Sequence, residues 1–420
     1  MARNQSSGRS LALALVLGTA LTTSLPAFAL EAEPFAQAFK ALIAEQDGNL
    51  EYEGATLDGV SVTLTGATLS PSGDLPAQDG ASMTLPLGDL TFEGVTETDT
   101  GYEATSLIRE GIEGSAADVG EEGDDLTWSI GRLGMEGITV PRADADGQAA
   151  IMARSGAFYD RAFLENVTLS LNGEQYVTLA SAETRTDIDA DPATLSASMT
   201  DLVTDLTVAA DKAPDLKAWI EGTGYDTITI DYASDGTWNL TDGTLDLGTN
   251  RVTLEGMGEF DLALNLGGLT PTFLETMNEV AAQMQSDDEQ ARQAAGMQLL
   301  GLASQLSFGE LTLGYRDGGM ADTLLEYYAS VENTTKEQLV QQTAGVLPIA
   351  LGQLGVPELQ AQITEAVTDF LNDPKSITVS LKPDAPVPAP VLMGAAASSP
   401  AQLVQALNAS VTSGEAGSME

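Results

Sequence analysis

The chain is 420 residues long, 43% of them hydrophobic and 5% aromatic, with a formal net charge of -45 at pH 7. It holds no histidine and no cysteine, which excludes Ser-His-Asp and Cys-His catalysis, metal sites built from these side chains, disulfides and thiol redox centres. Its charge argues against binding of nucleic acid or anionic headgroups through the general surface.

The N-terminus has the pattern of a secretory signal peptide over residues 1–29. Arg3 and Arg9 form a basic region, an apolar core begins over residues 11–17, and Ala27-Phe-Ala29 presents the small residues that a signal peptidase reads. We therefore expect an exported protein that resides in the periplasm, with secretion to the medium as the alternative. No later segment approaches the ~20 apolar residues of a membrane helix, so we expect no stable membrane span unless the signal peptide is retained.

The first predicted element of the mature chain is a helix over Pro34 to Gln46. Phe35, Phe39 and Leu42 recur at helical spacing, and proline stands near the start. A β-hairpin follows, because apolar and small polar residues alternate on both sides of Asp58-Gly59.

From there to about residue 206, short alternating runs separated by Gly, Asp and Asn predict an antiparallel meander rather than an α/β fold. Two runs share one plan, Leu87–Thr96 and Ile130–Thr139, and a weaker echo lies at Phe308–Gly314. Two strands of one sheet built to the same alternating pattern would explain this, and so would a duplication.

A second helix, Pro214 to Gly222, again leads into alternating runs, which continue to about residue 266. The plan of a helix followed by a meander therefore occurs twice. We interpret the chain as two related halves, a β-rich N-terminal half over 30–206 and a C-terminal half over 207–390. A C-terminal helix and a disordered tail are expected over 391–420.

The C-terminal half then becomes helical. Helices are predicted at Thr272–Gln285, Asp287–Leu306, Ala321–Val331, Thr335–Leu347 and Pro357–Asn372. A strand at Ile377–Lys382, an extended connection at Pro383–Pro390 and a helix from Ser399-Pro400 to Leu407 follow. The predicted fold class is α+β and mostly β: a large antiparallel, twisted or curved sheet with helices packed on the C-terminal half.

Three segments, Ile220–Asp226, Leu311–Asp317 and Ile377–Pro383, are similar to a group of uncharacterised exported envelope proteins of proteobacteria. In that group a Gly-Tyr-Asp turn opens a sheet, and a Tyr-x-Asp strand precedes a helical region. More distantly, the chain resembles the AsmA-like envelope proteins. The resemblance spans about residues 210–385. It implies a long curved sheet and an association with outer-membrane lipid homeostasis, and it implies no catalytic residues.

One acidic segment begins like a calcium loop. Asp187-Ile-Asp-Ala-Asp191 has the required spacing, but Pro192 stands where an EF-hand needs glycine and Ser198 where it needs glutamate. We interpret the segment as a turn between strands. Asp144–Gly147 fails in the same way and is predicted to be a hairpin turn.

Three acidic pairs, Glu121-Glu122, Asp124-Asp125 and Asp287-Asp288, are the candidates for glycosidase carboxylates. They lack aromatic neighbours that would bind sugar, and Asp287-Asp288 is better explained as charge at a helix N-terminus. Ser380 and Lys382 do not form the S-x-x-K pattern of a Ser-Lys mechanism. The sequence therefore predicts no catalytic, cofactor-binding or metal-binding residue, no cofactor and no enzyme.

Met277, Met284 and Met297 mark apolar faces on the predicted helices 272–306. Either these helices cover one face of the sheet, or they enclose an apolar channel with the Leu- and Val-rich side of a curled sheet.

Two functional hypotheses follow. The first is a non-catalytic envelope protein that binds or handles a lipid or other apolar ligand. The second is a structural or protein-interaction module of the periplasm that docks an envelope protein at exposed sheet edges. An enclosed apolar cavity would favour the first, and a filled core with a bare sheet edge would favour the second.

Overall fold

The computed structural model of the protein describes residues 30–71, 84–119, 123–145, 147–210, 212–285, 288–352 and 355–414. The predicted signal peptide, Glu121-Glu122, Asp287 and the tail beyond residue 414 lie outside the described residues.

The described residues form 17 strands, and all their pairings are antiparallel. The strands are β1 (Gly48–Glu51), β2 (Gly54–Asp58), β3 (Ser61–Pro71), β4 (Leu85–Glu93), β5 (Thr96–Glu97), β6 (Gly101–Val119), β7 (Asp124–Pro141), β8 (Arg161–Leu171), β9 (Glu174–Asp187), β10 (Ala193–Asp205), β11 (Thr227–Asn239), β12 (Thr244–Leu254), β13 (Gly258–Gly267), β14 (Ser307–Asp317), β15 (Ser376–Leu381), β16 (Val387–Pro388) and β17 (Ala409–Ser413).

The helices of the described residues lie mostly in the C-terminal half. They are α1 (Ala32–Glu45), α2 (Gln148–Arg154), α3 (Thr207–Ala210), α4 (Pro214–Thr223), α5 (Pro271–Met284), α6 (Glu289–Ala303), α7 (Met320–Val331), α8 (Lys336–Leu351), α9 (Pro357–Asn372), α10 (Ala389–Ser398) and α11 (Pro400–Ala406). None of these described helices is long and apolar enough to cross a membrane.

The strands build one large open sheet, and their order in it follows the chain. β1 and β2 both pair with β3, and the sheet then continues through β4, β6 and each following strand to β15. β17 pairs with β15 and forms the far edge. Because neighbours in the sheet are neighbours in sequence, hairpins and helical excursions suffice as connections. The predicted α+β, mostly β class with a large antiparallel sheet is confirmed.

The sheet also continues across the predicted division near residue 207. β10 ends at Asp205 and pairs along its length with β11, which begins at Thr227. The short helices α3 and α4 lie in the chain between these two strands. The two halves therefore share one hydrogen-bonded sheet.

The N-terminal end of the sheet is closed by α1. The ring of Phe92 on β4 meets Phe35 and Phe39 edge to face, with centroid distances of 4.9 and 4.7 Å. Val62 and Leu64 on β3 are fully buried in the same cluster. The apolar stripe predicted for the first helix thus becomes the centre of a filled core.

The C-terminal helices begin at recognisable N-terminal signals. α9 spans Pro357–Asn372 as predicted, with proline in its first turn. Ser399 caps α11 by accepting a hydrogen bond from the Gln402 amide at 3.3 Å.

Two C-terminal elements differ from the sequence-based expectation. α10 begins at Ala389, inside the segment expected to be extended, because Pro390 stands in its first turn and small helix-forming residues follow. β17 forms where the disordered tail was expected to begin, because it completes a ladder with β15. A short run of small polar residues becomes a strand only when it has such a partner.

Candidate functional site

One row of directly paired residues crosses the sheet from β3 to β17. Residues that pair directly across an antiparallel ladder have side chains on the same face, so the row defines one face of the sheet. Its members in order are Val62, Phe92, Leu107, Met135, Ala162, Thr184, Ala197, Ser234, Asn250, Leu262, Leu313, Val379 and Val411. We call the face that carries this row the apolar face.

A second row runs beside the first over the C-terminal strands. It consists of Leu247, Leu264, Leu311, Leu381 and Ala409. Together the two rows form a continuous aliphatic surface on β12 to β17. We call this surface the groove floor, and it comprises Leu247, Leu262, Leu264, Leu311, Leu313, Val379, Leu381 and Val411.

The two ends of the apolar face differ in burial. At the N-terminal end Val62, Leu90 and Phe92 are 0–2% exposed beneath α1. On the groove floor Leu313 is 47% exposed and Val379 is 39% exposed. The other six floor residues are half-buried, and none of the eight reaches the burial of a core side chain. The floor is therefore an open surface.

α5 borders the floor on one side. Its Leu274 packs in a cluster with Trp238 and Leu245, which lie one row beyond Leu247. The Trp238 indole donates a hydrogen bond of 2.8 Å to the Leu269 carbonyl, just before α5 begins. This bond ties the start of the helix to the sheet.

α9 borders the floor on the other side. Its Phe370 ring meets Tyr315 edge to face at a centroid distance of 5.9 Å, and Tyr315 also packs on Phe260 at 4.7 Å. Tyr315 and Phe260 pair directly, one row beyond Leu313 and Leu262. α9 also packs closely along β17, the edge strand that carries Val411. The floor thus has α5 beside one end of its strands and α9 beside the other end and β17, and it forms the base of a groove.

Tyr315 carries the polar group at this side of the groove. Its hydroxyl lies 2.8 Å from an oxygen of Asp317 and 3.0 Å from the Met257 carbonyl. Burial and the hydrogen bond to Asp317 raise the pKa of Tyr315 above its ordinary value. Asp317 also accepts hydrogen bonds from the backbone amides of Gly319 and Ala321, at the start of α7. The tyrosine is therefore a neutral structural donor.

The N-terminal boundary of the floor is a small polar group. Asn250 accepts hydrogen bonds from Ser234 at 2.5 Å and from Tyr232 at 3.4 Å, and it donates to the Leu262 carbonyl at 3.2 Å. It follows a bulge in β12, where the pairing register shifts between Leu247 and Asn250. The aliphatic floor extends from here toward β17.

The opposite face of the same strands is charged. Arg251 Nε lies 2.8 Å from Asp261 and 2.9 Å from Glu259, and Arg316 bonds Glu259 from the next strand. Asp261 is buried beneath these guanidinium groups, at 4% exposure. The hydrogen bond to Asp261 raises the pKa of Arg251. Alternation along each strand thus separates an aliphatic face from an ionic one.

A family model described as "Uncharacterized protein" matches residues 251–414. The match includes most of the groove floor together with both bordering helices, α5 and α9. No curated protein matches the chain.

The acidic candidates from the sequence lie apart from the groove floor and take structural roles. Asp187–Asp191 forms the turn between β9 and β10, where Asp187 accepts the Ala190 amide at 3.1 Å. Asp288 caps α6 by accepting the Gln290 amide at 2.9 Å. Within the described residues, no group of three or more acidic side chains is placed to hold a metal ion.

Two further residues that the sequence analysis considered, Asp124 and Lys382, also form hydrogen bonds and ion pairs with neighbouring side chains. Asp124 accepts a hydrogen bond from Asn172 at 2.8 Å and is paired with Lys212, and these bonds lower the pKa of its carboxyl. Lys382 bonds Glu310 at 2.9 Å rather than Ser380.

The methionines of α5 and α6 are not in the core of their helix pair. Met277 and Met284 are each 45% exposed and Met297 is 71% exposed. Phe273 and Val280 form the buried contact with α6 instead. Of this pair, α5 borders the groove floor without enclosing it, and sequence periodicity did not reveal that difference.

Proposed function

We propose that the protein is a non-catalytic binding protein of the cell envelope that holds an acyl chain of a lipid, or a similar extended apolar ligand, along the groove floor. The observation that carries the proposal is the exposure of Leu313 and Val379, 47% and 39%, on a face that is fully buried at its other end. Soluble proteins rarely leave a contiguous aliphatic surface open unless a ligand or partner covers it.

The chemistry of the floor favours a hydrocarbon over an extended peptide. Leu262, Leu313 and Val379 present only methyl and methylene groups, and the backbone beneath them is already paired on both sides by neighbouring strands. A peptide strand laid on this surface would bury its own amide groups without partners, which costs free energy. An acyl chain has no such groups.

The size of the floor also fits an acyl chain. The row from Asn250 to Val411 crosses five strands, and four strand spacings of about 4.8 Å give a length of about 19 Å. Along the strand direction the floor is only two rows wide, the row of Leu262 and Leu313 and the row of Leu264 and Leu311. The surface is therefore longer than it is wide.

The non-catalytic part of the proposal rests on the same residues. The floor has no nucleophile, acid or base, and its polar neighbours Tyr315 and Asn250 are engaged in hydrogen bonds. Envelope location is proposed from the N-terminal signal pattern, and the AsmA-like resemblance supports a lipid as the ligand. Neither an envelope location nor the binding of a lipid requires the protein to catalyse a reaction.

A second candidate is a protein-interaction module. β2 pairs only with β3, and β17 pairs only with β15, so in the described residues both ends of the sheet are edge strands. Such edges are ready to pair with another chain. The groove floor is open rather than enclosed, so the criterion of an enclosed cavity does not select the lipid-binding candidate over this one. We rank this one second, because Leu57 is the one large apolar side chain that β2 exposes and α9 packs closely on β17.

The test is native mass spectrometry with lipid extraction on the mature protein, purified from its own periplasm without detergent. We expect a co-purifying lipid at close to one per chain. The variant Leu313→Gln/Val379→Gln should lose it, because amide groups on the floor would be desolvated by the ligand.

The matched control is Val60→Gln/Ile108→Gln, which alters two side chains of similar exposure, 55% and 41%, away from the groove floor. This variant should keep the lipid. The proposal is overturned if the native mass spectrum of the wild-type protein shows no bound lipid and the protein also fails to bind an added fluorescent fatty-acyl probe. That result would favour the protein-interaction module instead.

A further inference from the structure

Two stretches of the C-terminal half carry no charge. Residues 385–414 contain no Lys, Arg, Asp or Glu, although the chain as a whole has a formal net charge of -45. This stretch includes β16, α10, α11 and β17. Residues 293–309, which form most of α6 and the start of β14, are uncharged as well. Both stretches can therefore be covered by an apolar partner without removing a charge from water.

α10 lacks the polar side of an ordinary surface helix. Leu392 and Ala395 are half-buried and lie three residues apart, so they mark the side that faces the protein. Val391 and Met393 lie outside that side and are 53% and 51% exposed, and none of the residues of this helix is buried. Surface helices normally turn polar residues to the solvent. α10 instead turns apolar side chains to the solvent.

The C-terminal part of α6 has a similar outward side. Met297 and Leu300 lie three residues apart and are 71% and 62% exposed. Ala295 and Leu302 belong to the buried cluster with α5, so they mark the opposite side of the helix. The last charged residue of α6 is Arg292, which precedes Met297 by more than one turn. This end of α6 therefore also exposes apolar side chains without a charge among them.

The two uncharged helices meet at the start of β14. α6 ends at Ala303, and β14 begins at Ser307, which pairs with Pro388 at the end of β16. The amide of Ala389, the first residue of α10, donates a hydrogen bond of 2.9 Å to the Leu306 carbonyl. The end of α6 and the start of α10 thus lie side by side. We call the exposed apolar residues of the two helices the uncharged patch: Met297, Leu300, Val391 and Met393.

An apolar row leads from the groove floor to these helices. Phe308 on β14 pairs directly with Val387 on one side and with Leu266 on the other. This row lies next to the floor row of Leu264 and Leu311 and on the same face, because Leu264 and Leu266 are two residues apart on β13. Val387 lies two residues before the start of α10. Apolar side chains therefore continue from the floor to the helices of the uncharged patch.

From this arrangement we infer that the uncharged patch docks the protein on the surface of a lipid bilayer, at the end of the groove where an acyl chain enters or leaves. The inference rests on the proposed function, since it names the source of the ligand that the floor binds. Apolar side chains can enter the interface of a bilayer without needing hydrogen-bond partners there. Four side chains give a weak and reversible attachment, as suits a protein that leaves the membrane with its ligand.

A second copy of the chain fits the uncharged patch less well than a bilayer does. A typical stable protein complex buries about 800 Å² on each partner, which is more than four side chains can supply. Two copies would also bring formal charges of -45 together, and this repulsion opposes self-association. A bilayer of zwitterionic lipids offers an extended apolar layer and no net charge. The same repulsion predicts weaker docking on anionic vesicles at low salt.

The test is flotation of the mature protein with vesicles of phosphatidylcholine, which carry no net charge. We expect the wild-type protein to float with the vesicles. Val391→Asp/Met393→Asp should lower the floated fraction at least about fivefold, because docking would take two carboxylates out of water. The matched control Val60→Asp/Val331→Asp makes the same change of charge between β2 and β3 and at the end of α7, at side chains 55% and 59% exposed. It should float like the wild type.

A second measurement reports whether α10 itself enters the bilayer. The fluorescence emission of Met393→Trp, compared with that of the wild type, should shift to shorter wavelengths when phosphatidylcholine vesicles are added, because the new indole would leave water. Val331→Trp is the control and should show no such shift. Both substitutions are at exposed positions, so the fold should be retained, and circular dichroism checks this.

The outcomes separate docking from the proposed function. If the protein binds an acyl probe in solution but does not float with vesicles, the docking inference is wrong and the acyl groove stands. If the protein floats but binds no probe, the proposed function fails alone. Equal flotation of the two double variants would contradict the role given to α10. A wild-type dimer that Val391→Asp/Met393→Asp dissociates, as measured by sedimentation, would assign the uncharged patch to a second copy of the chain.

Discussion

Val62 and Val379 belong to the same row of paired residues, yet Val62 is 0% exposed and Val379 is 39% exposed. The difference comes from what covers them. α1 lays Phe35 and Phe39 over the N-terminal end of the apolar face, whereas α5 and α9 stand at the sides of its C-terminal end. One sheet thus provides both a closed core and an open groove.

The matched valines give a direct test of that contrast. Val62→Ala should lower the free energy of unfolding by about 2 kcal/mol, because it removes buried methyl groups and leaves a cavity. Val379→Ala should change it by less than about 0.5 kcal/mol, because the side chain is already in contact with solvent. Urea unfolding of the two variants measures both values, and equal losses would mean that the groove floor is covered in solution.

Gly137 should be intolerant of a side chain for two separate reasons. Its φ of 63° is in the left-handed region, and a Cβ there would overlap the Asp160 carboxylate. Gly59 has a similar φ of 64° but open space around it. We expect Gly59→Ala to cost about 1 kcal/mol and Gly137→Ala to cost clearly more, as measured by thermal or urea unfolding. Similar costs would show that Asp160 moves aside freely.

The two repeated runs, Leu87–Thr96 and Ile130–Thr139, also share a glycine with a left-handed backbone conformation. Gly94 and Gly137 hold the same place in the two repeats, with φ of 65° and 63°. The repeats therefore share a backbone feature as well as an alternating pattern. Both explanations, a duplication and a common strand design, predict it.

The hydrogen bond from Trp238 to the Leu269 carbonyl should affect both the stability of the protein and the binding of a ligand to the groove floor. Trp238→Phe leaves that carbonyl without its donor, and we expect a loss of about 1–3 kcal/mol in the free energy of unfolding. Because the bond holds the start of α5 beside the floor, binding of an acyl probe should weaken too. Trp219→Phe on α4 is the control for the loss of an indole, and an equal effect there would contradict the role given to Trp238.

Much of the fold was predictable because its signals are local. Pro357 and Asp373-Pro374 mark the two ends of α9, and alternation predicted the antiparallel meander. α10 was missed because the prolines before it indicated an extended chain, although Pro390 is well placed in a first helical turn.

The groove could be predicted only in part. Alternation in β13 and β14 indicates a Leu-rich face, but it does not tell which partners lie over that face. The row from Val62 to Val411 depends on the register of many strand pairs and on bulges such as the one before Asn250. Register and helix docking are tertiary properties, so the open floor was visible only in the structure.

The last prediction concerns Asp160, whose carboxyl has a raised pKa. Partial burial, which removes some of the water around the carboxylate, is the main cause, and the nearby carboxylates of Asp187 and Asp189 add to it. Because the folded-state pKa lies above the unfolded value of about 3.8, the folded state binds this proton more tightly, and stability falls as the pH rises through the folded pKa. At pH 7 the charged group therefore opposes folding.

Asp160→Asn removes this cost and should stabilise the protein at pH 7. We expect a gain of less than about 1 kcal/mol, because the group is largely exposed and solvent screens it. The difference from wild type should shrink as the pH falls below about 4, where the native carboxyl is itself protonated. Urea midpoints at pH 7 and pH 3 measure this, with Asp58→Asn on β2 as a control of equal charge change. A gain that is the same at both pH values, or the same in the control, would show that the charge of Asp160 is not the cause.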